Sequence, residues 1–176
     1  KIQRANAVSQ SPQNSDDPRT TLDHIRTKME RVAAEFAEGK INRAQFNAIY
    51  GHHSEQRAII EMLIKRDPNN EAWRRVAHPG RTSFLRNHFE AQPVFYVIFK
   101  HHVKKPLTSE GQHDNADTKH IVGTLKQLWQ REKIPDNALA RLKVEDGRWM
   151  ILAVGKYAAS VVIFSLQPSN AQARLV

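Results

Sequence analysis

The sequence predicts an α+β protein, with an N-terminal helical hairpin followed by an antiparallel sheet that has helices packed on it. Three observations predict this. Apolar residues recur at spacings of three and four from Leu22 to Ile64, the period of a helix face. At Pro93 the pattern changes to a β-branched and aromatic run, Val94–Phe99. Near the C-terminus Asp146-Gly147, a strong hairpin signal, separates two apolar runs. The boundaries that follow are a disordered tail at 1–19, the hairpin at 20–66, short helices and linker at 67–91, and the sheet domain at 92–176.

The elements follow in order. Residues 1–19 are rich in Gln, Ser, Asn and Asp, with too little apolar surface to offset chain entropy. Leu22, Ile25, Met29, Val32, Ala33 and Phe36 line one helix face, with Thr20 or Thr21 as cap and Gly39 as the stop. A second helix runs from Asn42 through Tyr50 and resumes past Ser54, with a break or kink at Gly51-His52-His53. The two helices hide their apolar faces by pairing antiparallel. Asp67-Pro68-Asn69-Asn70 is a turn, and short helices lie on either side of His78-Pro79-Gly80. A buried strand covers 93–102, a polar loop 103–115 and a helix 116–133, which Ile134-Pro135 ends. Residues 140–145 alternate, with Leu142 and Val144 inward. Strands at 148–154 and 159–166 follow, separated by a turn at 155–158. Gln167-Pro168-Ser169 then opens a last helix.

The returning strand is apolar on both alternation phases, Trp149, Ile151 and Ala153 against Met150, Leu152 and Val154. A sheet apolar on both faces needs cover on both. The second face is expected to be covered by the N-terminal helices or by another subunit.

Composition narrows the classes. The chain has 176 residues, 40% of them apolar, and no cysteine. That excludes a disulfide scaffold, a zinc ribbon and an iron–sulfur protein. No apolar run approaches the length of a membrane helix, so no membrane span is expected, and the cytoplasm is the default compartment. The net charge is +9, from 27 basic and 18 acidic residues. Residues 1–90 carry 15 basic against 11 acidic side chains and residues 91–176 carry 12 against 7, so the excess is spread along the chain. No Lys/Arg tract marks a dedicated patch. Arg66, Arg74, Arg75, Arg81 and Arg86, with Lys104 and Lys105, are the candidate contacts for an anionic partner.

Motifs for catalysis are missing. There is no phosphate loop, no Gly-x-Gly-x-x-Gly, no Gly-x-Ser-x-Gly elbow and no His-Glu-x-x-His. His113, Asp117 and His120 have the spacing of one helix face, but Asp114 or Asp117 serves more simply as a helix cap. His101 and His102 are strand neighbours that point to opposite faces. No metal, cofactor or catalytic residue is assigned, and the chain is read as a non-enzyme.

From Phe84 onward, and most clearly in GRWMILAVGKYAASVVIFSLQPSNAQARLV, the order of elements resembles the roadblock/longin/profilin-like domains. The likeness covers about half the chain. It implies a five-stranded antiparallel sheet sandwiched by helices. Such domains carry two strands before the central helix, so 103–111 would have to supply the second. The resemblance also implies a domain that dimerises, binds small GTPases or scaffolds complexes rather than catalysing. Residues 38–65, beginning Glu38-Gly-Lys-Ile-Asn-Arg-Ala-Gln-Phe46, resemble the SHOCT-type helical hairpin. The same Gly-x-Ile string occurs in EF-hands, but Lys40, Asn42 and Arg43 replace the carboxylates that calcium needs.

The function expected is a non-enzymatic signalling or scaffolding protein. It acts by protein–protein contact, with another protein or a second copy as partner, and Trp149, Ile151, Tyr157, Val161 and Ile163 serve as packing or interface positions. A basic nucleic-acid-binding protein is the alternative, and a PAS-type small-ligand sensor the second.

Overall fold

The computed structural model describes residues 17–67, 71–78, 80, 82–131, 133 and 137–176. The expected tail over 1–16, the turn at Pro68–Asn70, Pro79, Arg81 and the helix stop at Ile134-Pro135 lie outside the described residues. The elements are α1 (Pro18–Ala37), α2 (Arg43–Arg66), α3 (Trp73–Ala77), α4 (Thr82–His88), β1 (Pro93–Lys100), β2 (Pro106–Gly111) and α5 (Asn115–Trp129). They continue with β3 (Ala138–Lys143), a 3-10 turn (Glu145–Gly147), β4 (Trp149–Val154), β5 (Ala158–Phe164) and α6 (Asn170–Ala173). The protein is of mixed α and β structure, helices first and then a five-stranded antiparallel sheet with helices, as the sequence predicts.

Contacts divide the chain into two units: residues up to Glu30 with His53–Gly80, and Arg31–His52 with Arg81–Val176. In the first, α1 starts at Pro18, where a proline's missing N–H costs nothing, and Asp17 accepts the Arg19 N–H at 3.0 Å. Thr21, Ile25 and Met29 of α1 are buried, as are His53, Gln56 and Ile60 of α2 and Trp73 of α3. Gln56 Nε2 donates to the Val76 carbonyl at 2.6 Å and so holds α3 to α2.

α2 has no break at Gly51. Ile49, His53, Gln56 and Ile60 are all buried and spaced four, three and four apart, so one stripe runs through the glycine. Two polar members of that stripe hid its continuity from a hydrophobic pattern.

In the second unit the hairpin tip packs as a small core of Val32, Ile41 and Ile49, flanked by Phe46, Tyr50 and Leu85. Asn42 and Gln45 form a reciprocal cap, each side chain accepting the other's backbone N–H at 2.8 and 2.9 Å. Their amide nitrogens also reach across, Asn42 to the Phe89 carbonyl and Gln45 to that of Arg86. Gly39 has φ +73°, and a methyl there would run into Asn170 Cβ; its carbonyl accepts the Ala171 N–H at 3.0 Å. The tip is thereby joined to α6.

The sheet order is β2-β1-β5-β4-β3, every neighbouring pair antiparallel. β2 lies within the polar stretch that the residue pattern leaves as loop, where the resemblance requires a second strand. Pro-Leu-Thr-Ser-Glu-Gly is exposed throughout, so no buried phase marked it, and it is held by its ladder to β1. α5 leads from one edge of the sheet to the other. It ends at Trp129, before the expected Lys133, and β5 spans 158–164 rather than 159–166.

Phe95, Val97 and Phe99, Met150, Leu152 and Val154, and Ala159, Val161 and Ile163 share one face with Ile121, Leu125 and Leu128 of α5. On the other face Ile151 and Phe164 pack with Ala91 and Ala173, and Val162, Leu166 and Val176 lean on them. The second face is therefore capped by α6 and the residues around it. Burying an isoleucine or valine contributes about 1.5–3 kcal/mol, and Ile151, Val161 and Ile163 are each fully buried.

Ile163→Ala should lower the free energy of unfolding by about 2–5 kcal/mol in urea titration, whereas Leu139→Ala, at a side chain 41% exposed, should cost below about 1 kcal/mol. Gly39→Ala should cost more than about 1 kcal/mol, because the added methyl needs both a left-handed backbone and the space held by Asn170.

Candidate interaction surface

β3 is the outermost strand on one side of the sheet, and only Ala138 of its six residues is even half-buried. Its alternation, Ala-Leu-Ala-Arg-Leu-Lys, makes it extended, and β4 pairs with one of its edges. The register puts Ala138, Ala140 and Leu142 on the α5 face, opposite Val154, Leu152 and Met150. Leu139, Arg141 and Lys143 face the other way, opposite Ala153, Ile151 and Trp149.

Leu142 is 39% exposed while Val144 is buried, so of the two residues expected inward only Val144 is sealed. The reason is reach. The buried side chains of α5 pack on β1, β5 and β4, and between α5 and β3 there remains a groove of about 350 Å³. Thr124, Gln127, Leu128 and Arg131 line one side of it, Ala140 and Leu142 the other. An edge strand whose outer backbone row meets no other strand among the described residues, with a leucine half-open on each face, is a surface suited to pairing with another chain.

The end of the β3–β4 hairpin is clamped to the start of α5. Asp114 caps α5 by accepting the Asp117 N–H at 2.7 Å, and Asp117 Oδ2 accepts the Asp114 N–H in return. Arg148 donates to Asp117 Oδ2 at 2.6 Å and to Asp114 Oδ2 at 2.7 Å. Asp117 is buried, so its charge is balanced by this guanidinium and by the helix N-terminus. The Asp117 N–H, joined by Arg148, holds the Asp114 carboxyl below its ordinary range. Hydrogen bonding to Asp114, with the charges of both aspartates, raises Arg148 above its ordinary value. The clamp depends on Asp146 and Gly147, at φ +57° and +76°, which turn the chain back so that Arg148 can reach α5. Asp-x-x-Asp was legible as a cap, whereas nothing in its spacing announced Arg148 as the third member.

The side chains expected to matter are distributed as follows. Val161 and Ile163 lie in the core beneath α5. Ile151 lies in the core beneath α6, and Trp149, half-buried, is on the same face opposite Phe164. Tyr157 is 71% exposed in the turn between β4 and β5, with Lys156 Nζ 5.2 Å from its ring centre.

Of the basic set, Arg66, Arg74 and Arg75 belong to the first unit and Arg86, Lys104 and Lys105 to the second. Arg86 meets Glu35 at 2.6 Å and Arg74 meets Glu71 at 3.1 Å, so both serve intramolecular pairs. Arg81 lies outside the described residues. Asp117 is committed to the clamp, and His113 lies against the Phe95 ring, centroids 4.3 Å apart. Among the described residues no group of three His, Asp or Glu side chains is placed to hold a metal. No helix of the described residues is long and apolar enough to cross a membrane.

Comparisons with protein-family models, with curated proteins and with solved structures give no match to this chain.

Two outcomes test the clamp. Arg148→Met leaves the buried Asp117 carboxylate without its counter-charge and should cost about 2–3 kcal/mol of stability at neutral pH, by denaturant titration. Because Asp114 ionises more easily folded than unfolded, its contribution is complete above the ordinary carboxylate value of 3.8 and is lost as pH falls through its lowered folded value. Asp114→Asn should flatten that acid limb of the stability curve, measured as melting temperature against pH.

Proposed function

We propose that this protein is a non-catalytic interaction module of the signalling or scaffolding kind, and that it works by pairing with a second copy of itself along β3. The reading rests on one observation, the self-complementarity of that edge. Antiparallel pairing of two β3 strands about a two-fold axis at Ala140 sets Ala140 against Ala140, Ala138 against Leu142, and Leu139 against Arg141. The α5 face of the joint is then wholly apolar and continues the groove beside Leu142, and no like charges stand opposite one another. The strand order and the two strands ahead of α5 support the likeness to roadblock/profilin-like domains, for which dimerisation is the expected behaviour. Cytoplasmic residence belongs to the same proposal.

Light scattering after size exclusion is the test. The chain should elute at twice its 20.2 kDa mass. Ala140→Glu, at an exposed site, should return it to the monomer mass without changing its circular dichroism, since it sets two carboxylates face to face. A chain that stays monomeric at high concentration would overturn the reading.

A further inference from the structure

A recess of about 480 Å³ opens within the second unit, where the hairpin tip, β3 and the segment leading into α6 come together. Phe36, Ile41 and Pro168 give it apolar walls. Among the described residues Arg43 and Arg141 are the charged side chains that line it, and no carboxylate does. Among the described residues neither guanidinium meets an acid. Arg141 donates to Asn170 Oδ1 at 2.7 Å, which orients it without neutralising it.

The carboxylates nearest Arg43 in sequence are already engaged, Glu38 with Lys40 at 2.6 Å and Glu35 with Arg86. Arg43 also opens the 24-residue α2, whose dipole adds positive potential there. The Asn42–Gln45 cap takes up the N–H groups of those two residues and leaves the Arg43 and Ala44 N–H groups without helix acceptors. Two uncompensated guanidiniums at one concavity call for a doubly charged anion, and guanidinium forks match phosphate oxygens. The volume lies within the range of small-molecule sites, about 300–1,000 Å³, and leaves room for more than the anion.

We propose that this recess binds the phosphate group of a small phosphorylated molecule, with Arg43 and Arg141 clamping the phosphate and the Phe36–Pro168 wall receiving the carbon skeleton. Arg141 also stands opposite Leu139 in the proposed β3 pairing, and the two assignments are separated by measurement, mass for the pairing and binding heat for the recess.

The test is calorimetric titration of the full chain with adenosine monophosphate and, separately, with inorganic phosphate at low salt. Binding of the nucleotide that weakens about tenfold to a hundredfold in both Arg43→Gln and Arg141→Gln supports the site. Both variants replace exposed side chains, and unchanged melting temperatures confirm that they fold. Lys104→Gln removes the same charge outside the recess and should leave the affinity unchanged. Tighter binding of the nucleotide than of phosphate supports the apolar wall, and equal binding of the two overturns that half of the assignment. No heat with either probe, or an equal loss in Lys104→Gln, overturns the site.

Discussion

β4 and its neighbour β5 carry large apolar side chains on both phases, and the rest of the second unit is arranged around keeping both sides of that pair dry. Met150, Leu152, Val161 and Ile163 face α5 while Ile151 and Phe164 face the opposite way. Were either layer removed, several fully desolvated aliphatic groups would return to water. Each is worth a substantial fraction of the few kcal/mol by which a domain of this size is stable.

Cover for the second side comes from a modest element. α6 has four residues, too few to persist alone, and Ser169 caps it by accepting the Gln172 N–H while Gln172 returns the bond. Gln172 also donates to the Ala91 carbonyl at 2.9 Å. Ala171 is tied to Gly39, so the hairpin tip and the C-terminal turn brace one another over the sheet. These are polar, directional bonds placed around an apolar contact, and they set where the short helix sits. The face beneath α5 is covered by a longer element, a 15-residue helix that presents a continuous stripe and is held at its start by Arg148.

The proposed pairing surface lies where cover stops. α5 spans the middle of the sheet and leaves β3 with one open edge and a leucine half-wet on each face. The other margin, β2, is polar at Thr108, Ser109 and Glu110, and Leu107 is its one large aliphatic side chain. The two edges are thus chemically unlike. One resists pairing with another strand through its polar surface, and the other invites it. The charge of the chain is similarly uneven in use. Arg86 and Arg148 hold the fold together, while among the described residues Arg43 and Arg141 meet no acid.

The period of the apolar residues by itself determined that helices precede a sheet, where β1, β4 and β5 lie, and that both sides of the sheet are greasy. These are local properties, repeated every 2 or 3.6 residues. Asp146-Gly147 and Pro168-Ser169 likewise announced their turns by backbone chemistry alone. Only the tertiary structure decided that α2 runs unbroken through Gly51, because the stripe that stabilises it includes His53 and Gln56, whose burial depends on distant partners. Apolar periodicity could not show that 106–111 forms a strand, since an exposed edge is held by its neighbour's hydrogen bonds and not by its own composition. The same holds for Arg148 reaching Asp117 and for Arg43 meeting Arg141 at one recess: side chains far apart in the chain share a site only once the backbone between them is folded, and no sequence spacing records that distance.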